Sequence, residues 1–200
     1  VPRVPTGWRL ATGSLLPALQ KNIPNSLSYR CRRSLPAAFW RTTLSFANLG
    51  LRAELLAAVA EQDYTLPTPV QARAIPILLA GRDLMATAQT GTGKTAGFAL
   101  PILQLLAGRP ARRRSVRALV LEPTRELAAQ VAESFRAYGS RLPLRCVEIF
   151  GGVGMQPQVD ALRRGVEIVV ATPGRLLDHA GGGTIDLSAV EILVLDEADR

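Results

Sequence analysis

Near the middle of this chain a glycine-rich loop joins a short apolar run to a long helix-forming run, and few folds have a use for that order. The loop reads Ala88-Gln89-Thr90-Gly91-Thr92-Gly93-Lys94-Thr95, with Asp83–Thr87 before it as a predicted strand and a predicted helix from Lys94 towards Leu106 after it. Glycines allow backbone conformations that turn several N–H groups inward around an anion, and the following helix adds the positive end of its dipole. Lys94 is placed to reach β and γ phosphates, and the Thr95 hydroxyl to ligate magnesium. The first glycine of the usual phosphate-loop pattern is replaced by Ala88. An ordinary glycine turn is the plainer reading, but the strand-then-helix context favours phosphate binding.

The rest of the chain supplies the frame such a loop needs. Leu51, Leu55 and Val59 recur at i, i+4 and i+8 on a predicted helix over 51–60. Pro67 and Pro69 turn the chain into a second predicted helix around Gln71–Leu79. Predicted strands Ala118–Leu121, Cys146–Phe150, Ile168–Val170 and Ile192–Leu195 alternate with three further helices. One of these carries Leu127, Val131, Phe135 and Tyr138 along one face, one spans Gln158–Arg164, and a short one follows Gly174. Short, continuously apolar strands separated by helices predict an α/β fold with a parallel sheet covered by helices on both faces.

A second candidate group follows the last strand, where Val194-Leu195 gives way to Asp196-Glu197-Ala198-Asp199. Ligand groups in a parallel sheet gather at the carboxyl ends of strands, where Asp196 and Glu197 fall. One carboxylate there can hold magnesium while its neighbour polarises an attacking water. Two acids after a strand are commonly just a solvated turn; beside a phosphate loop they become a candidate site.

Charge locates the chain's parts better than its partners. The formal net charge is +8, yet residues 1–45 hold seven basic and no acidic residues, leaving 17 basic and 16 acidic in the remaining 155. The folded part is nearly neutral, so global charge names no partner. Prolines, serines and the lack of apolar periodicity predict that residues 1–45 form a disordered basic tail, with residues 46–200 as one domain. An organelle transit peptide shares that composition. The two cysteines, Cys31 and Cys146, lack metal-ligand spacing, which points to a reducing, cytoplasmic setting rather than a disulfide framework. No apolar run approaches the roughly 18 residues of a membrane span. With a single histidine, His179, and no metal-ligand cysteine spacing, no zinc cluster is expected, and His179 reads as a surface residue near a helix end. Arg112-Arg113-Arg114 reads as a solvated loop.

Taken in order, these motifs resemble the DEAD-box RNA helicases of bacterial type. Asp196-Glu197-Ala198-Asp199 spells the family signature, and the loop has the family's Ala-x-x-Gly-x-Gly-Lys-Thr form. Pro67-Thr68-Pro69-Val70-Gln71 resembles its adenine-reading motif, with Phe46 standing seventeen positions before Asp63 like the family's isolated upstream aromatic. Pro123-Thr124-Arg125-Glu126-Leu127-Ala128, then Gly151-Gly152, then Thr172-Pro173-Gly174-Arg175 resemble its three RNA-side motifs. The resemblance runs from Phe46 to Arg200.

It implies a RecA-like domain that takes ATP and magnesium and contacts RNA. Lys94, Asp196 and Glu197 would be catalytic, and Thr95 and Asp196 would hold the metal. Phe46, Tyr64, Gln71 and the loop Ala88–Thr95 would hold the nucleotide. A glutamine carries a donor and an acceptor, so Gln71 can pair with adenine N6 and N7 together, a pairing guanine refuses. Pro123, Thr124, Arg125, Gly151, Gly152, Thr172, Pro173, Gly174 and Arg175 would face RNA, although Thr124 and Thr172 could equally be plain helix caps. Asp63 stands where the family has glycine. The family's second RecA-like domain and Ser-Ala-Thr motif lie outside these 200 residues. The fragment is therefore expected to bind ATP and RNA weakly and to hydrolyse little. A DNA translocase and a non-catalytic nucleotide- and RNA-binding module are the competing readings.

Overall fold

Four short apolar runs become four parallel strands, β1 (Ala118–Leu121), β2 (Cys146–Ile149), β3 (Ile168–Ala171) and β4 (Ile192–Leu195). They lie in the order β2-β3-β1-β4. The computed structural model describes residues 45–89, 91–109 and 115–198. The basic tail, Thr90, Arg112-Arg113-Arg114 and Asp199 lie outside these residues. β1 and β3 are central and apolar throughout, whereas β2 and β4 are half-exposed, as their positions next to a single neighbour dictate.

Among the described residues six α-helices accompany the sheet: α1 (Ala53–Glu61), α2 (Pro69–Leu79), α3 (Lys94–Gly108), α4 (Arg125–Tyr138), α5 (Met155–Arg163) and α6 (Pro173–Gly181). Strand residues alternate between two cores. Ala118, Val120, Ile168 and Val170 pack with Leu55 and Val59 of α1, Leu100, Leu103 and Leu106 of α3, and Val131 and Phe135 of α4. Leu119, Val169 and Ala171 point the other way, towards Leu162 of α5 and Leu176 of α6. Each fully buried side chain of this size contributes about 1.5–3 kcal/mol, so the predicted two-sided cover accounts for the sheet's hold on its helices. Arg117, buried just before β1, adds a polar bolt. It donates to the carbonyls of Leu106 and Arg109 at the end of α3 and pairs with Glu191 just before β4.

Helix starts follow their caps. α2 begins at Pro69, two residues before the predicted Gln71, because Thr68 and Gln71 form a reciprocal capping box with proline in the first turn. The thiol of Cys146, in β2, is pushed up to about 12 by burial, as befits a small apolar group rather than a nucleophile.

Two expectations are corrected. Asp83–Thr87 is not a strand; it is extended, exposed chain with Leu84 and Met85 turned outward, Met85 to 91%. A strand is a property of a pair. β1 is flanked on both sides by β3 and β4, and residues 83–87 find no ladder partner among the described residues. His179 is not a surface residue: it is 0% exposed. It lies one turn after Arg175 on α6, on the face turned towards α5, where two polar partners take up both ring nitrogens.

Candidate functional site

The carboxyl ends of β1, β3 and β4 bring the predicted groups together. Gly91 and Gly93 sit at φ 81° and φ 84°, a left-handed region that a side chain resists. α3 therefore starts straight out of the loop, with no side-chain cap on its first amides. Those amides are the donors an anion would take. Gly93 is further constrained by Gln71, since a Cβ there would come within 2.3 Å of the Gln71 amide nitrogen. Thr92 Oγ1 donates to the carbonyl of Gln89 at 2.7 Å and closes the turn.

Across from this loop, Asp196 follows β4, and its N–H donates to the carbonyl of Leu121. Glu197 next to it has φ 49°, one of two non-glycine residues in the left-handed region among those described. Backbone held there stores strain of about 1–3 kcal/mol, and it persists where the surroundings hold it in place. Here the hold includes an ion pair: Lys94 Nζ donates to Glu197 Oε1 at 3.0 Å. The two residues named from separate motifs are in direct contact.

Gln71 is buried, and its amide is already employed. Oε1 accepts from the N–H of Thr68 at 2.9 Å, and Nε2 donates to the carbonyl of Gly93 at 3.1 Å. It thus ties α2 to the phosphate loop. Phe46 is buried in the main core with its ring stacked on Tyr64 at 6.4 Å. Tyr64 is the more exposed ring of the two, and its hydroxyl lies 3.2 Å from that of Tyr138. Asp63 has φ 56°, a conformation in which glycine is the unstrained residue. Asp63→Gly is accordingly expected to stabilise the fold by about 0.5–1 kcal/mol, the left-handed penalty less glycine's extra unfolded entropy. A lowered unfolding midpoint in urea would contradict this.

The residues expected from the resemblance to face RNA lie near one another: Gly152 beside Arg125, and Arg175 beside Val153. Thr124 caps α4 by accepting from the N–H of Leu127, whereas Thr172 stands at the cap position of α6 with no such bond. The capping role is thus realised at Thr124, and the Thr172 hydroxyl is left to other donors and acceptors. Gly152 is left-handed, at φ 83°, and a Cβ on it would meet the guanidinium of Arg125 at 2.9 Å. Arg175 donates to the carbonyl of Val153 at 3.1 Å. Arg125, Gly151-Gly152 and Arg175, distant in sequence, therefore occupy one patch.

Glu122 was missed by the sequence reading. It follows β1, and its N–H donates to the carbonyl of Ala171. The strand register pairs Leu121 with Ala171 on one side and Leu195 on the other, which sets Glu122 beside Thr172 and Asp196. It is 1% exposed, and neither carboxylate oxygen has a hydrogen-bond partner. Burial first, then the charges of Asp196 and Glu197, push its pKa up to about 7, against the pull of Lys94. The signal was available: Val120-Leu121-Glu122 repeats the pattern of Val194-Leu195-Asp196, an apolar strand ending in an acid.

With the folded pKa near 7 and the ordinary value at 4.5, the neutral form's contribution to stability is complete below pH 4.5. It is lost as pH rises through 7. Glu122→Gln removes that loss. Without nucleotide or metal, the variant is expected to be more stable than the parent at pH 8 by on the order of 2 kcal/mol, after discount for solvent screening. The gain should vanish near pH 4.5. Melting temperatures at the two pH values check this, and a gain independent of pH would contradict it.

Comparison with known proteins agrees with this geometry. Residues 68–200 match the profile of the DEAD/DEAH box helicase family. The chain belongs to that family. It is 50% identical over 157 residues to the ATP-dependent RNA helicase DeaD of Escherichia coli, covering 78% of this chain and 24% of that protein. Its identity is 49% over 159 residues to the ATP-dependent rRNA helicase RRP3 of Ajellomyces capsulatus, covering 79% and 32%. A crystal structure of a DEAD box protein from the hyperthermophile Methanococcus jannaschii superposes with a TM-score of 0.72 at 39% identity, over 78% of this chain and 42% of that one. The fold is RecA-like α/β. The chain spans a quarter to a third of the length of these curated relatives. Among the described residues no helix is long and apolar enough to cross a membrane.

Proposed function

We propose that this chain is the ATP-binding domain of an ATP-dependent RNA helicase. The observation that carries the reading is the 3.0 Å contact between Lys94 and Glu197, which joins the phosphate loop to the acids after β4 on one sheet edge. ATP is the nucleotide the family resemblance and the relatives' names imply, and the bare first turn of α3 has the donors to take its phosphates. A magnesium ion would supply charge neutralisation between phosphates, with the Thr95 hydroxyl and Asp196 as its protein ligands. Among the described residues no cluster of three or more acidic, histidine or cysteine side chains suited to a metal occurs. A small protein ligand set of that kind suits an ion bound mainly through phosphate oxygens and water.

Lys94 holds Glu197 until phosphate oxygens compete for its ammonium. Its transfer to the phosphates releases the Glu197 carboxylate to orient and polarise the attacking water. Gln71 reads adenine with the second N–H and second carbonyl lone pair that its bonds to Gly93 and Thr68 leave over, with Tyr64 and Phe46 as the neighbouring aromatic surface. Arg125, Gly152, Thr172 and Arg175 take the phosphate backbone of RNA, a contact that positions the strand without reading sequence.

The test is displacement of a short RNA duplex by a protein that joins this chain to the remainder of a DeaD-type relative. ATP-dependent displacement that Glu197→Gln abolishes is expected. Displacement equally fast without ATP, or unaffected by Glu197→Gln, would overturn the reading.

A further inference from the structure

His179 does not belong to any motif that singles out the site, yet it is among the most buried side chains described. Its surroundings fix its protonation pattern. Gln158 Nε2 donates to the carbonyl of Phe150 at 3.0 Å, which leaves Gln158 Oε1 facing the ring. His179 Nε2, 3.2 Å from that oxygen, must therefore carry the ring proton and donate it. In a neutral ring Nδ1 is then an acceptor, 2.7 Å from the Thr184 hydroxyl, whose one proton is shared between Nδ1 and the His179 carbonyl at 3.1 Å. Burial and the Arg175 guanidinium hold the ring's pKa below its ordinary value, against Asp178, in keeping with a neutral ring.

What this cluster holds is the point. Phe150 directly follows β2 and directly precedes Gly151-Gly152. α6 grips that segment at both ends. Arg175 reaches the carbonyl of Val153, and His179 reaches the carbonyl of Phe150 through Gln158. Residues 175 and 179 are one turn apart on the same face of α6, so a single helix face spans the four-residue loop. Arg125 lies over Gly152 in its middle. An apolar residue would fill the same space with no desolvation cost. A buried network in which the amide and ring of Gln158 and His179 are hydrogen-bonded instead favours one geometry.

We propose that His179, acting through Gln158, is a positioning residue for RNA contact, setting Phe150–Val153 and Arg175 in the arrangement that grips the phosphate backbone. This rests on the RNA-face reading above, and the test separates the two. Binding of a short fluorescein-labelled single-stranded RNA to the 200-residue chain is followed by anisotropy at low salt. The proteins are the parent, Arg175→Ala, His179→Leu and the double variant. Binding of a fluorescent ADP analogue is measured beside it.

His179→Leu is expected to weaken RNA binding roughly fivefold, the effect of a lost hydrogen-bonded constraint, with nucleotide affinity unchanged. In the Arg175→Ala background most of that loss should disappear, because both changes disable one grip. His179→Gln, which can keep a donor to Gln158, should recover most of the affinity. Thr184→Val, which removes the hydroxyl on Nδ1 at equal volume, serves if His179→Leu does not fold, and it should weaken RNA binding in the same selective way. If Arg175→Ala weakens RNA binding while the His179 and Thr184 variants leave it unchanged, or lower it additively with Arg175→Ala, the positioning role is overturned and the RNA face stands. If Arg175→Ala itself has no effect, the RNA face is wrong and the proposal falls with it.

Discussion

ATP turnover by this 200-residue chain is expected to stay at the buffer background, with or without RNA. Phosphoryl transfer depends on positioning and on stabilising charge that develops at the γ-phosphate, and an arginine supplied for that purpose is worth about 10³–10⁵ in rate. The family resemblance places those arginines on a second RecA-like domain, and this chain spans only 24% to 32% of the relatives described above. Lys94, Asp196 and Glu197 are drawn from one sheet edge, so they address the phosphates from one side. Groups in such an open site act through water, where each is weaker than in a closed cleft. Steady-state release of phosphate, with Glu197→Gln as control, checks this. Strong RNA-stimulated turnover that the control abolishes would show that these 200 residues suffice.

The two ends of the Lys94–Glu197 pair should respond in opposite directions. Lys94→Ala removes the ammonium that phosphate oxygens would take and leaves the Glu197 carboxylate, only 11% exposed, facing them. Loss of a charge-assisted bond of about 1.5–3 kcal/mol corresponds to roughly 10- to 100-fold weaker ATP binding. Glu197→Gln instead removes the carboxylate charge that Lys94 contacts at 3.0 Å. Disrupting a partly exposed pair of about 0.2–1 kcal/mol should tighten ATP by roughly two- to fivefold. Titration with a fluorescent ATP analogue measures both. Weakened binding in both variants would mean that the pair does not compete with phosphate.

Those opposed effects concern residues that were visible in the sequence because chemistry and position coincide in them. Lys94 belongs to a loop whose glycine spacing before a helix-forming run is uncommon enough to single it out. Asp196 and Glu197 end an apolar strand, and strand ends are where a parallel sheet gathers ligands. The strands themselves were found within a residue or so, since each is a short run of apolar residues bounded by turns. Asp83–Thr87 failed for a physical reason: composition can suggest an extended segment but cannot provide it with a neighbour. His179 failed because one histidine gives no periodicity, and its partners Gln158 and Thr184 meet it only once α5 and α6 pack. Glu122 and Arg117 are polar residues at the margins of an apolar strand, where exposure is the ordinary outcome. Burial there follows from the tertiary neighbours β3 and β4, which local sequence does not report.

Adenine selectivity distinguishes an ATP site from a general phosphate loop, because it requires a site that reads the base as well as the phosphates. Gln71 spends one N–H on Gly93 and one carbonyl lone pair on Thr68, which leaves a second N–H and a second lone pair as the pair that reads adenine. The measurement is displacement of a fluorescent ADP analogue from the 200-residue chain by ATP and by GTP, repeated with Gln71→Glu. ATP should displace at roughly tenfold lower concentration or better, in line with a pair of base-edge bonds worth about 1–3 kcal/mol, and Gln71→Glu should narrow the gap. Equal displacement by ATP and GTP from the unaltered chain would contradict the account.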